Sequence, residues 1–254
     1  MHLLPLPDKG LRSLLIPPDV GDLAPDLVLE RQHSVLTHKQ AIDCGFTRSA
    51  VRHRLEVGQW QVVHPQVYAT YAGPLSAGTL IWGALLHAGA GAVLDGPTAL
   101  GVHGLTRYDD PRVHILVPHH RHPDPTPGVV IRRSRTLGIR TPVEREGFPV
   151  LRIERAALTV ARDQPRRAGS VLTAVVQQGY TTAEKLRGYL LDLGPVHGRG
   201  ELRTILDDIE GGSRSELERR FHRLIRRHNL PRPIANYRVV LEGRVFYLDN
   251  AWPD

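Results

Sequence analysis

Arg48, Ser49, Arg52 and His53 lie at i, i+1, i+4 and i+5 in the segment TRSAVRHRLE, Thr47–Glu56. That spacing gathers them on one side of a helix, while Val51 and Leu55 share the opposite side. A guanidinium chelates guanine in the major groove or pins a phosphate, and a serine hydroxyl donates to either. The chemistry on offer is recognition of a polyanion rather than bond breaking. Arg54 is assigned to phosphates, and Gln61, His64 and Gln66, just downstream, to the adjacent backbone or minor groove. The same polar face also suits plain solvation or a protein partner.

The elements that must position these groups are readable from caps and breakers. Thr37 with Gln40 three residues later forms a capping box, and Gly45 ends that first helix. Thr47 caps the second helix and Gly58 ends it. Trp60–Val63 and Val67–Thr70 read as a two-strand ribbon with a His64-Pro65-Gln66 corner. Trp60 and Val62 are expected on one phase, and Val67, Ala69 and Tyr71 on another. Two short helices, a tight turn and a ribbon over Arg31–Gly73 are the pattern of a winged helix-turn-helix. Its second helix usually enters the major groove of double-stranded DNA.

The chain has 254 residues and a formal net charge of +7, a balance that favours polyanionic partners. Only Lys9, Lys39 and Lys185 are lysines, an arginine skew that GC-rich coding also produces. Apolar runs such as Leu80–Ala88 are too short to span a bilayer, so no membrane role is expected. The N-terminus lacks a charged region and cleavage site. A lone Cys44 cannot form an internal disulfide, which suits a cytoplasmic location. Residues 1–30, rich in Pro and Asp, are read as an arm docked by Leu11, Leu14 and Leu15.

Residues 74–211 read as an α+β region, strands first and helices later. Ser76 caps a helix ending near Gly89, and Asp95 caps another with Pro97 in its first turn. Strands are expected at Arg112–Pro118, Val129–Arg133 and Phe148–Arg152. Helices are expected at Glu154–Asp163, Ala168–Gln178, Ala183–Leu191 and Glu201–Glu210. His119, His120 and His122 flank Arg121 in a Pro-rich loop without zinc-ligand spacing. They read as a solvated basic loop that touches DNA phosphates in support of the helix pair. Arg132, Arg133 and Arg135 form a basic strand end. His87 and His103 read as core or boundary histidines. Residues 213–254 hold an amphipathic helix with Leu217, Phe221, Leu224 and Ile225 as its buried stripe. A hairpin turning at Glu242-Gly243 follows. The cationic face Arg219, Arg220, Arg223, Arg226 and Arg227 is read as helix surface.

HSVLTHKQAIDCGFTRSAVRHRLEVGQWQVVHPQVYAT resembles the N-terminal winged-helix domain of AbiEi-type antitoxins of type IV toxin–antitoxin systems. LIWGALLHAGAGAVLDGPTALGVHGL and RVHILVP resemble the region that follows it in bacterial relatives. The resemblance implies an operator-binding autorepressor, with Thr47, Arg48, Ser49, Arg52, His53, Arg54, Gln61 and His64 at the DNA and a toxin protein as a further partner. It needs no cofactor.

SELERRFHRLIRRHNLPRPIANYRVVLEGRVFYLDNAWPD resembles the opening of a Vsr-like endonuclease domain of the PD-(D/E)xK superfamily. The resemblance implies Glu218 and Asp249 as catalytic carboxylates, with Asp249 holding Mg²⁺ if the segment is active. Asn250 departs from the family pattern, and the chain ends at Asp254, where the family's next acidic strand begins. A truncated, inactive module is therefore the expectation. Ser215-x-x-Glu218 also reads as a capping box, and the hairpin's open edge as a route to a homodimer.

Overall fold

The computed structural model describes residues 25–135, 137, 142–192, 198–241 and 244–253. The fold is α+β. The chain divides into two compact units, one reaching Leu206 and the other spanning Asp207–Asp254. Leu11, Leu14 and Leu15 lie outside the described residues.

The first unit opens with α1 (Pro25–Arg31), β1 (Val35–Thr37), α2 (His38–Asp43), α3 (Arg48–Glu56), β2 (Gln61–His64) and β3 (Val67–Ala69). The strands form an antiparallel sheet in the order β1-β3-β2, with Leu36 and Val62 both opposite Tyr68. Val28, Leu36, Ala41, Val51, Trp60 and Tyr68 make its core, with Phe46 and Leu55 packed against it. Pro25–Glu30 are thus not part of an arm: they form most of α1, and Val28 is buried in this core. Gln32 and Gln40 are also buried, and each amide donates to the other's carbonyl oxygen, so neither is left without a partner.

The expected phase of the ribbon fails at Val62, which is 61% exposed while Trp60 is 6% exposed. Trp60 precedes β2, where its backbone N–H donates to Arg54 O, and the pairing register shifts between Val62 and His64. Simple alternation does not survive such an irregularity. All three residues of β3 are buried, because the three-helix side covers one face and α4 (Ala77–Ala88) packs against β1, β2 and β3. Gly83 permits that approach, since a Cβ there would overlap the Val63 side chain.

The rest of this unit holds β4 (Val93–Leu94), α5 (Gly96–Val102), β5 (Val113–Pro118), β6 (Val129–Ser134), β7 (Val143–Arg145) and β8 (Phe148–Val150), then α6 (Ile153–Asp163), α7 (Pro165–Gln177) and α8 (Ala183–Asp192). The five-stranded sheet runs β6-β5-β4-β8-β7. β5 and β6 are parallel, with Val117 opposite Arg133 and Pro118 opposite Ser134. Ser76 and Asp95 cap α4 and α5 as their types require. The sequence reading missed β4 and β7, which are two and three residues long. α6 is buried from Ile153 to Ala161 and lies against α5, α7 and α8.

A 29-residue helix, α9 (Arg199–Arg227), passes without interruption through Gly211-Gly212, where two separate helices were expected. Ser215 therefore lies within a helix rather than at a helix start, so the N-cap position expected for the capping box over Ser215 and Glu218 is not formed there. Leu224, expected in the buried stripe, is 54% exposed beside a buried Ile225, and the Leu217 side chain lies outside the described residues. β9 (Ile234–Leu241) and β10 (Arg244–Ala251) pair antiparallel, with Leu241 opposite Arg244. The turn expected at Glu242-Gly243 lies outside the described residues. Trp252 Nε1 donates to Pro231 O at 2.7 Å. Phe246, Tyr247 and Leu248 are exposed. Among the described residues no helix is long and apolar enough to cross a membrane.

Candidate nucleic-acid interface

The turn between α2 and α3 is built from local hydrogen bonds. Thr37 Oγ1 accepts from Gln40 N, and the Gln40 side chain accepts from Thr37 N at 2.9 Å. Gly45, at φ +90, donates to Ile42 O, and Phe46 N donates to Ala41 O. A left-handed residue at this point ends α2 without a Cβ clash. Thr47 Oγ1 then accepts from Ala50 N at 3.1 Å, which starts α3. Val51 and Leu55 hold α3 to the core, so its outward side is fixed by packing rather than by propensity.

That outward side carries Arg48, Ser49, Arg52 and His53, all exposed. Ser49 Oγ lies 3.0 Å from Thr47 Oγ1, so Thr47 serves the cap and orients Ser49. The other three predicted contacts are turned to internal duties. Arg54 lies with its guanidinium 4.8 Å from the Phe46 ring centroid and 5.8 Å from that of Trp60, a cation–π arrangement that ties α3 to the ribbon. Gln61 Nε2 donates to Tyr71 O and Gly73 O at 2.9 and 2.8 Å. His64 Nδ1 is 3.0 Å from Thr126 Oγ1, and its ring stands 5.2 Å from that of His87. Burial, and then the neighbouring His87, push His64 below the ordinary imidazole range. Gln66, at φ +62, is exposed at the ribbon corner.

Sequence reading foresaw the basic loop but not its attachment. Loop 119–128 is fastened beside the ribbon by the His64–Thr126 contact. His87 Nε2 also donates to Asp124 O at 2.8 Å. Only the chain's return brings residues 62 positions apart together. His103 is a satisfied core histidine, its Nε2 donating to Leu151 O at 2.8 Å.

A second polar cluster, also missed, lies inside the protein. The Asp95 carboxylate accepts from Gly96 N at 2.7 Å and from Thr159. Arg155 lies close enough to attract it and donates through Nη2 to Ser134 Oγ at 3.0 Å. Glu154 accepts from Thr181 Oγ1 at 2.9 Å. These groups are matched with one another rather than aimed into a cleft, so they read as structural.

Glu218 and Asp249 are not brought together by anything described. Glu218 falls within α9 and its side chain lies outside the described residues. Asp249 is exposed on β10. Among the described residues no group of three or more His, Cys, Asp or Glu could hold a metal ion.

No family model matches the chain, and no curated protein matches it. Among solved structures the chain is similar to the crystal structure of the Rv2827c protein from Mycobacterium tuberculosis, at 19% identity over 80% of each chain with a TM-score of 0.49.

Proposed function

We propose that residues 25–73 form a winged helix-turn-helix that binds double-stranded DNA through α3, and that the protein is an antitoxin-like repressor of its own operon. The observation that carries this reading is the division of labour on α3. Val51 and Leu55 seat the helix, Thr47 caps it, and Arg48, Ser49, Arg52 and His53 are left exposed on the other side. Two arginines at i and i+4 can meet a base edge and a neighbouring phosphate from one groove. The ribbon beside them supplies the wing, with Gln66 at its corner. Gln61 and His64 brace the wing through Tyr71, Gly73 and Thr126.

Gel-shift titration against the intergenic duplex upstream of the gene tests this reading. Arg52→Ala is expected to weaken binding by about 1–3 kcal/mol, roughly 5- to 150-fold, where a bidentate base contact is lost. Arg54→Ala is expected to act mainly on stability. Unchanged affinity and unchanged salt dependence in Arg52→Ala would remove that residue from the interface. A wild-type protein that binds no duplex would end the proposal.

A further inference from the structure

We infer that Arg133 and Arg135, with the loop His119–His122 beside them, form a second site that grips the phosphodiester backbone of the same DNA duplex. This rests on the DNA-binding reading and extends it to a surface outside the helix pair.

Topology assembles the site. β5 and β6 are parallel, so their carboxyl ends meet at one edge of the sheet, where Pro118 stands opposite Ser134. The loop leaving β5 and the residues ending β6 therefore share that edge. Arg133 and Arg135 alternate with Ser134 and are exposed. Arg133 Nη1 lies 2.8 Å from His122 Nδ1, and Arg121 packs over the backbone of Gly89. Between His119, His120 and Arg135 the surface forms a concavity of about 450 Å³, floored by Gly91 and Pro118.

Among the described residues no ion pair to a carboxylate is made by the two strand-end arginines. Arg132, one residue away, is paired with Asp163. The loop carries one carboxylate of its own, Asp124, against Arg121 and the two strand-end arginines. Arg135 first, then desolvation, then Arg133, His122 and His120 disfavour protonation of the His119 ring. An arriving phosphate would relieve that repulsion.

The site is held in place before any ligand arrives. Thr126 meets His64 of β2 and Asp124 meets His87 of α4, so the loop and the ribbon belong to one connected surface. Arginines on a strand end, without base-reading geometry, suit the sequence-independent part of binding. They set register and affinity by displacing counterions.

The test measures binding of the full chain to mixed-sequence duplex DNA across a salt series. Arg133→Ala with Arg135→Ala should reduce the slope of log K against log[salt] by about 1.8, or 0.9 for each phosphate released. The paired lysine variant should keep the wild-type slope, because a phosphate needs only the point charge. Arg166→Ala with Arg167→Ala, an equal charge change on the exposed start of α7, should also leave the slope alone. Thermal unfolding of each variant checks that the fold persists. If wild-type binds but the strand-end alanine pair keeps its slope, this inference falls and the α3 reading stands. An equal drop in the α7 control would also overturn it, since a diffuse field would then explain the effect. If wild-type binds no duplex, both readings fall.

Discussion

Arg155→Ala is expected to destabilise the unit reaching Leu206 by about 3–5 kcal/mol, the cost of removing a buried guanidinium that lies close enough to attract the buried Asp95 carboxyl. Arg155 is 7% exposed and Asp95 3% exposed. Truncating the arginine leaves the Asp95 carboxyl in the interior with its Gly96 N–H and Thr159 donors but without the attraction of the guanidinium. It also removes the hydrogen bond from Arg155 to Ser134 Oγ. Burial already pushes the Asp95 carboxyl above the usual carboxylate range, against the pull of Gly96, Thr159 and Arg155. A carboxyl whose folded value is raised makes its best contribution below its unfolded value of about 3.9. That contribution falls as pH climbs toward the folded value. Without Arg155 the folded value rises further, so the variant's deficit should be larger at neutral pH than near pH 4. Urea unfolding at both pH values measures this. Arg155→Met combined with Asp95→Asn should recover much of the loss, because no buried charge is then left alone. A single variant within about 1 kcal/mol of wild type at neutral pH would show that the pair is solvated in a way its burial denies.

Trp60→Ala is expected to cost a comparable 3–5 kcal/mol, roughly, through lost burial and a residual cavity. The Trp60 ring meets Phe46 edge-on at 5.1 Å and Tyr68 at 6.4 Å, and Arg54 lies over both Trp60 and Phe46. One side chain thus joins the turn before α3, the sheet and α3 itself. Its loss should lower the melting temperature by about 6–20 °C in a domain of this size. DNA affinity should fall further than in Arg52→Ala, because α3 loses its orientation to the ribbon as well as its rigidity. Trp60→Phe keeps part of the stacking and should retain most of the binding. Calorimetry and gel shift on the same preparations separate the two effects. A Trp60→Ala protein that melts near the wild-type temperature would contradict the central place assigned to this ring.

Legibility followed the range of the forces involved. Thr37 with Gln40, Gly45, Thr47, Ser76 and Asp95 act on backbone groups within four residues, so caps and helix ends were readable directly from residue types. The exposed face of α3 was readable too, since helical spacing and two apolar residues define it. β4 and β7 were not, because strands of two or three residues carry no period and exist only through their sheet neighbours. Nor was the continuity of α9: two adjacent glycines weaken a helix locally by about 1 kcal/mol each, a penalty that tertiary context can override.

The sequence by itself determined where α2 and α3 begin and end and which residues α3 turns outward, because capping and amphipathic spacing are local. Only the tertiary structure decided that Arg54, Gln61 and His64 serve the protein's own scaffold. Each finds its partner only once the ribbon, the return of loop 119–128 or the aromatic core is in place. The same is true of Asp95 with Arg155, and of the loop His119–His122 beside Arg133 and Arg135. Their proximity comes from sheet pairing and helix packing between segments far apart in the chain, which no local spacing encodes.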